Sequence, residues 1–116
     1  MREMVQMGYF KLIDKGNGQW YFNLLAGNHE PILHSEVYES KSAAQNGIES
    51  VRKNAVREGA FEVKQSSNGS WYFVLKSTNG QVVGKSEMYT SESGCDNGIA
   101  SVANNAPDAE VKEVEA

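Results

Sequence analysis

The chain reads as an α+β domain made by duplication: two tandem β-β-β-α repeats plus a C-terminal strand. These elements are expected to form a single antiparallel sheet with both helices on one face and a pseudo-two-fold axis between the halves. Three observations predict this. Residues 8–55 align with 59–106 without a gap, and 21 of the 48 pairs are identical, which marks an internal repeat. Each copy alternates apolar and polar residues through short runs and then changes to a spacing of three and four. The 116 residues, 40% hydrophobic and 22% charged, suffice for one hydrophobic core. The chain is therefore treated as a single domain over 1–116, with the first repeat at 8–58 and the second, carrying the final strand, at 59–114.

The first strand is expected at 9–14, where Phe10 and Leu12 alternate against Tyr9, Lys11 and Ile13. Asn17 and Gly18 accept positive φ at little cost, so a tight hairpin follows. The second strand, 19–25, puts Trp20, Phe22 and Leu24 on one face and Tyr21, Asn23 and Leu25 on the other. A turn at 26–31, matched by the cleaner Asn79-Gly80 signal of the second copy, leads to a third strand at about 32–36, or 82–87 in the second copy. Helices should begin at Ser40 and Ser91, whose hydroxyls can accept from the unpaired amides of a first turn.

Along the first helix Ala44, Gly47, Ile48, Val51 and Ala55 form one stripe, and Cys95, Gly98, Ile99, Val102 and Ala106 repeat it. Glycine inside a helix costs about 1 kcal/mol relative to alanine. Its double occurrence predicts a helix backbone lying close against the sheet. Pro107 should end the second helix, and 109–114 reads as the last alternating strand. A single copy would leave an apolar face that one helix barely covers, so the two halves are expected to need each other.

These residues carry a resemblance. The run Gly8-Tyr9-Phe10, the Asn-Gly-x-Trp-Tyr-Phe strand, the Tyr38-x-Ser40 pair and Asn46-Gly47-Ile48-x-Ser50-Val51, each with its second copy, resemble the YegP-like family of small bacterial proteins. The resemblance spans about residues 8–112. It implies β-β-β-α-β units that share one antiparallel sheet and exchange their last strands, and it implies homodimers for single-copy members. It brings no activity and no functional residues.

Function is less legible. Net charge is −4, the basic residues are scattered along the chain, and the densest cluster, 51–58, holds three, so nucleic acid is a disfavoured partner. No membrane span and no leader-like apolar run are visible, and a cytoplasmic protein is expected. Cys95 is the single cysteine, which excludes an internal disulfide and a cysteine zinc cluster; its place on the buried stripe reads as structural. No cofactor is indicated, and fusing the two copies makes a monomer the expected state.

A general base or weak metal site could be drawn around His29, His34 and Glu36, but only His34 and Glu36 share a strand face while His29 sits across the turn, which leaves that pair without a third ligand. Ser35-Glu36 and Ser86-Glu87 lack a nucleophile elbow and a paired histidine. They read as strand-to-helix joints whose hydroxyl and carboxylate bond exposed amides, with Tyr38 and Tyr89 packed under the helices. Asn46 and Asn97 lie mid-helix, unlike a phosphate loop, and are expected to bond backbone in the interior. The surface expected to matter is the uncovered sheet face, with Tyr9, Lys11, Tyr21, Asn23, Tyr72, Val74 and Lys76 as candidates for contact with a protein partner. The leading expectation is a non-enzymatic binding module; the alternative is a small enzyme or metal-dependent protein at the histidine hairpin.

Overall fold

The computed structural model describes residues 8–115; residues 1–7, most of the leading stretch considered above, and Ala116 lie outside the described residues. The first copy contributes β1 (Tyr9–Gly16), β2 (Gln19–Leu25), β3 (Pro31–His34) and α1 (Lys41–Asn54). The second contributes β4 (Phe61–Gln65), β5 (Trp71–Lys76), β6 (Val82–Lys85) and α2 (Glu92–Asn105), then a 3-10 turn over Ala106–Asp108 and β7 (Glu110–Glu115). All seven strands form one sheet in the order β4-β5-β6-β3-β2-β1-β7. The halves meet at β3 and β6, which pair through His34 and Lys85. Those two residues are equivalent in the duplication, so the pseudo-two-fold axis passes beside them.

The sheet is mixed, which departs from the all-antiparallel expectation. β1 to β6 pair antiparallel, whereas β7 runs parallel to β1, Tyr9 opposite Glu110 and Asp14 opposite Glu115. The cause is where the two strands start. Gly8 donates its amide to Oδ1 of Asn105 at 3.1 Å, so β1 sets out from the end of α2. β7 leaves the same end and must run the same way. Arg52 of α1 holds the entry of β7 by donating to the Ala109 carbonyl at 2.5 Å, and Lys41 pairs with Glu113 at 2.7 Å. The exchange is one-sided: β4, which follows α1, pairs within its own copy.

Both helices cover one face. Phe10, Leu12, Phe22, Leu24, Leu33, Phe73 and Leu75 from the sheet pack with Ala44, Ile48, Val51, Cys95 and Val102 from the helices, all at 0–1% exposure. Each large side chain so buried contributes roughly 1.5–3 kcal/mol. The serine caps form as expected, Ser40 Oγ accepting from the Ala43 amide at 3.1 Å and Ser91 Oγ from Gly94 at 3.0 Å. The helix glycines are needed for a different neighbour than expected. A Cβ at Gly47 would sit 2.5 Å from the hydroxyl of Tyr38 and 3.0 Å from the Phe22 ring, so the space serves a tyrosine tip, not sheet backbone. Gly98 stands in the same relation to Tyr89 and Phe73.

The third strands are shorter than expected because the serines interrupt them. Ser35 Oγ accepts from the Phe22 amide at 2.8 Å while donating to the Glu36 carbonyl, and Ser86 does the same for Phe73 at 2.9 Å. The hydroxyl thus replaces one carbonyl of the ladder, and the chain turns toward the helix. Tyr38 and Tyr89 then bridge back to Trp20 and Trp71 and stack on Phe22 and Phe73. The Asn-Gly pairs make two different turns. Asn17 (φ 58°) and Gly18 (φ 80°) form a two-residue hairpin, whereas Gly69 (φ 89°) closes a longer loop bonded Ser66 to Ser70 at 2.8 Å.

Candidate functional site: the open face of the sheet

Side chains on the face away from the helices are fixed by strand alternation, and directly opposed residues share a face. The registers therefore define one row across all seven strands: Lys112, Lys11, Asn23, His34, Lys85, Val74 and Glu62. At about 4.8 Å per strand the row is roughly 29 Å long. Tyr9 and Leu25 flank it on one side and Ile13 and Tyr21 on the other, with Tyr72, Lys64 and Lys76 in the second half. All seven candidate residues from the sequence lie here. Among the described residues, no helix or strand packs over them.

This face is built of two tiers. Ile13, Leu25 and Val74 are buried at 5–8% exposure although no second layer covers them. Longer side chains lie across them instead. Lys112 Nζ sits 4.4 Å from the Tyr9 ring centroid, and Lys85 Nζ sits 4.9 Å from that of Tyr72. Val74 is thus a floor residue, whereas Tyr9, Lys11, Tyr21, Asn23, Tyr72 and Lys76 are half-buried and form the upper tier.

The face is also where positive charge collects. Lys11, Lys64, Lys76, Lys85 and Lys112 are five of the eight lysines in the chain, against Glu36, Glu62, Glu87 and Glu110 on the same side. In sequence these lysines span a hundred residues; the pairing of strands gathers them. Lys76 bonds Glu62 at 2.5 Å. That hydrogen bond, with the charges of Lys76 and Lys64, holds the Glu62 carboxyl below the usual range.

The histidine hairpin divides into two separate contacts. His29 Nδ1 meets the Tyr9 hydroxyl at 3.2 Å. His34 Nδ1 meets Asn23 Oδ1 at 2.8 Å, and its Nε2 meets Glu87 of the second copy. Glu36 lines a shallow depression with His34, Val82, Val83 and Lys85. Among the described residues, no three His, Cys, Asp or Glu side chains group as metal ligands, so the structure does not assemble the His29–His34–Glu36 constellation. Cys95 is fully buried, and burial, then Asp96 and Glu92, push its thiol pKa up.

One expectation fails outright. Asn46 and Asn97 are exposed on the outer side of their helices. The asparagines turned inward are Asn54, which is buried, and its equivalent Asn105, which is half-buried. Each donates to a carbonyl four residues back at 2.8 Å, while its Oδ1 accepts from Arg57 or Gly8. They too recur in both copies, and the burial of the neighbouring stripe could have singled them out.

Fold and face together define a class: a duplicated α+β repeat protein with one covered and one open sheet face. The domain of unknown function DUF1508 matches residues 16–62 and again 66–113, and the chain belongs to this UPF0339, YegP-like family. It is 53% identical over 100 residues to a UPF0339 protein of Pseudomonas aeruginosa, covering 86% of this chain and 91% of that one. It is 45% identical over 106 residues to the UPF0339 protein YegP of Escherichia coli, covering 91% and 96%. The solution NMR structure of E. coli YegP, described as a protein of unknown function, matches with a TM-score of 0.88 at 42% identity over 97% of both chains. That of a UPF0339 protein from Shewanella oneidensis matches at 0.87 and 42%, covering 97% of this chain and 93% of the other. No helix among the described residues is long and apolar enough to cross a membrane.

Proposed function

We propose that the chain is a non-enzymatic, cytoplasmic interaction module whose open sheet face holds a protein partner through an acidic surface. The observation that carries this reading is the uncovered row from Lys112 to Glu62, with five lysines around three half-buried tyrosines. Tyrosine gives a binding surface apolar area with one polar tip and little entropy to lose, and charge complementarity steers and orients an acidic partner. A nucleic-acid ligand fits less well. The rings of Tyr9 and Tyr72 already carry lysines on their faces, where bases would stack, and the chain as a whole is acidic.

The test is affinity capture from a bacterial lysate with wild type and with a Lys11→Glu/Lys85→Glu variant, both checked for an unchanged melting temperature. Capture of an acidic protein that is lost in the variant and weakened by salt supports the reading. Equal recovery by both forms overturns it. A Tyr21→Glu/Tyr72→Glu variant tests the apolar part of the same surface.

A further inference from the structure

The two outer edges of the sheet are not alike. Beside β1 lies β7; beside β4, in the equivalent position of the second copy, the described residues place no strand. The core-facing residues record the difference. Phe10 and Leu12 of β1 are 0% and 1% exposed, but their equivalents Phe61 and Val63 are only half-buried. The residues that fasten β7 are also missing from the second half. Arg52 and Lys41 of α1 correspond to Ala103 and Glu92 of α2.

The direction of the free backbone groups follows from the hydrogen bonds. Lys76 donates to Ala60 at 2.9 Å and Ser66 to Ser70 at 2.8 Å, with Phe61 opposite Leu75 and Gln65 opposite Trp71. Even-numbered residues of β4 therefore exchange bonds with β5. Phe61, Val63 and Gln65 turn their N–H and C=O groups outward.

From this we infer that the β4 edge pairs with β4 of a second copy, antiparallel and centred on Val63. The strand is complementary to itself about that point. Val63 meets its own equivalent and Phe61 meets Gln65, the outward-facing residues bonding in pairs. Glu62 then falls opposite Lys64 of the other copy, twice, in the wider-spaced positions where side chains approach most closely. A two-fold axis perpendicular to the sheet keeps both helix layers on one side and both open faces on the other. A lone edge lysine would repel a second copy; here a glutamate is placed to receive it. One oxygen of Glu62 already holds Lys76, which leaves the other for the incoming Lys64. Two five-residue strands with their flanking side chains fall short of the roughly 1,200 Å² that marks a stable complex, so the dimer is weak and concentration-dependent.

The test is sedimentation equilibrium of the full chain from about ten micromolar to about one millimolar, with charge variants. Wild type should show a rising dimer fraction. Lys64→Glu turns both cross-axis pairs repulsive and should raise the dissociation constant about tenfold or more. The double reversal Glu62→Lys/Lys64→Glu restores the match and should restore dimerisation. Val63→Pro removes an outward N–H without touching the β4–β5 ladder, and should give a monomer with its helical content intact. A wild type that stays monomeric throughout overturns the inference. So does a dimer that survives Lys64→Glu and Val63→Pro. The Lys11→Glu/Lys85→Glu arm of the lysate experiment uses residues on β1 and β6, neither of which borders β4, so the two ideas fail separately.

Discussion

Replacing Gly98 by alanine sets two helix effects against each other, and a second glycine on the same helix separates them. A methyl group at Gly98 would strike the end of Tyr89, with Cζ at 2.8 Å and Cε2 of Phe73 at 3.0 Å. Tyr89 stacks on Phe73 at 6.4 Å between centroids, 10° from parallel, and Phe73 is 0% exposed. Neither ring can back away without disturbing the core. Overpacking of this kind costs about 1–3 kcal/mol, while alanine gains about 1 kcal/mol of helix propensity. At Gly94 the nearest atoms to an added methyl are Ser91 Oγ at 3.3 Å and the Tyr89 side chain at 3.6 Å, so the gain should come with little penalty. We expect Gly98→Ala to be less stable than Gly94→Ala by about 1–3 kcal/mol, read as a shift in urea midpoint at constant slope. Equal midpoints would show that Tyr89 yields freely and that the glycine is not there for close approach.

Other outcomes follow from the same structure. Ser86→Ala leaves the buried Phe73 amide without its acceptor and should cost about 1–3 kcal/mol in equilibrium unfolding; a loss well below this range would mean that the amide finds another partner. Burial first, then Glu36 for Tyr38 and the Cys95 thiol and Glu87 for Tyr89, raises both tyrosine pKa values. The folded state therefore favours their protonated forms. Their contribution is intact below the ordinary tyrosine pKa, about 10, and is lost as pH rises through the folded values. Melting temperature should fall above about pH 10, less so in Tyr38→Phe/Tyr89→Phe, and an equal fall in both proteins would place the cause elsewhere. Cys95, buried with a raised pKa, should react with a thiol reagent only as fast as the chain opens; prompt labelling of the native protein would contradict its burial.

What could be read from the sequence was whatever is local or periodic. The offset of 51 between Trp20 and Trp71 announced the duplication, and serine caps, helix stripes and hairpins depend on neighbours within a few residues. The direction of β7 was not legible, because it is set by the contact of Gly8 with Asn105, 97 positions apart. Recurrence alone misplaced the interior asparagine. Asn46 and Asn54 both repeat, and only the helical phase relative to Val51 tells which faces in. The open face was half visible: alternation assigned Tyr9, Tyr21 and Tyr72 to it, but Lys85 and Lys112 join Lys11 only once the strands are laid side by side. Charge that looks dispersed along a chain can thus be concentrated on one side of a sheet.

The place of β7 also governs when the protein can fold. β1 borders β7, which is made about a hundred residues later, so the β1 edge stays bare until residues 110–115 have been added. A nascent first copy has its hairpin and helix but lacks the strand that shields Phe10 and Leu12. Domains generally form in order of synthesis, yet here β1 waits for β7. The two copies should therefore be acquired in a single step once β7 has been added, and a ribosome stalled before Glu110 would carry an incomplete, protease-sensitive chain in place of a finished first half.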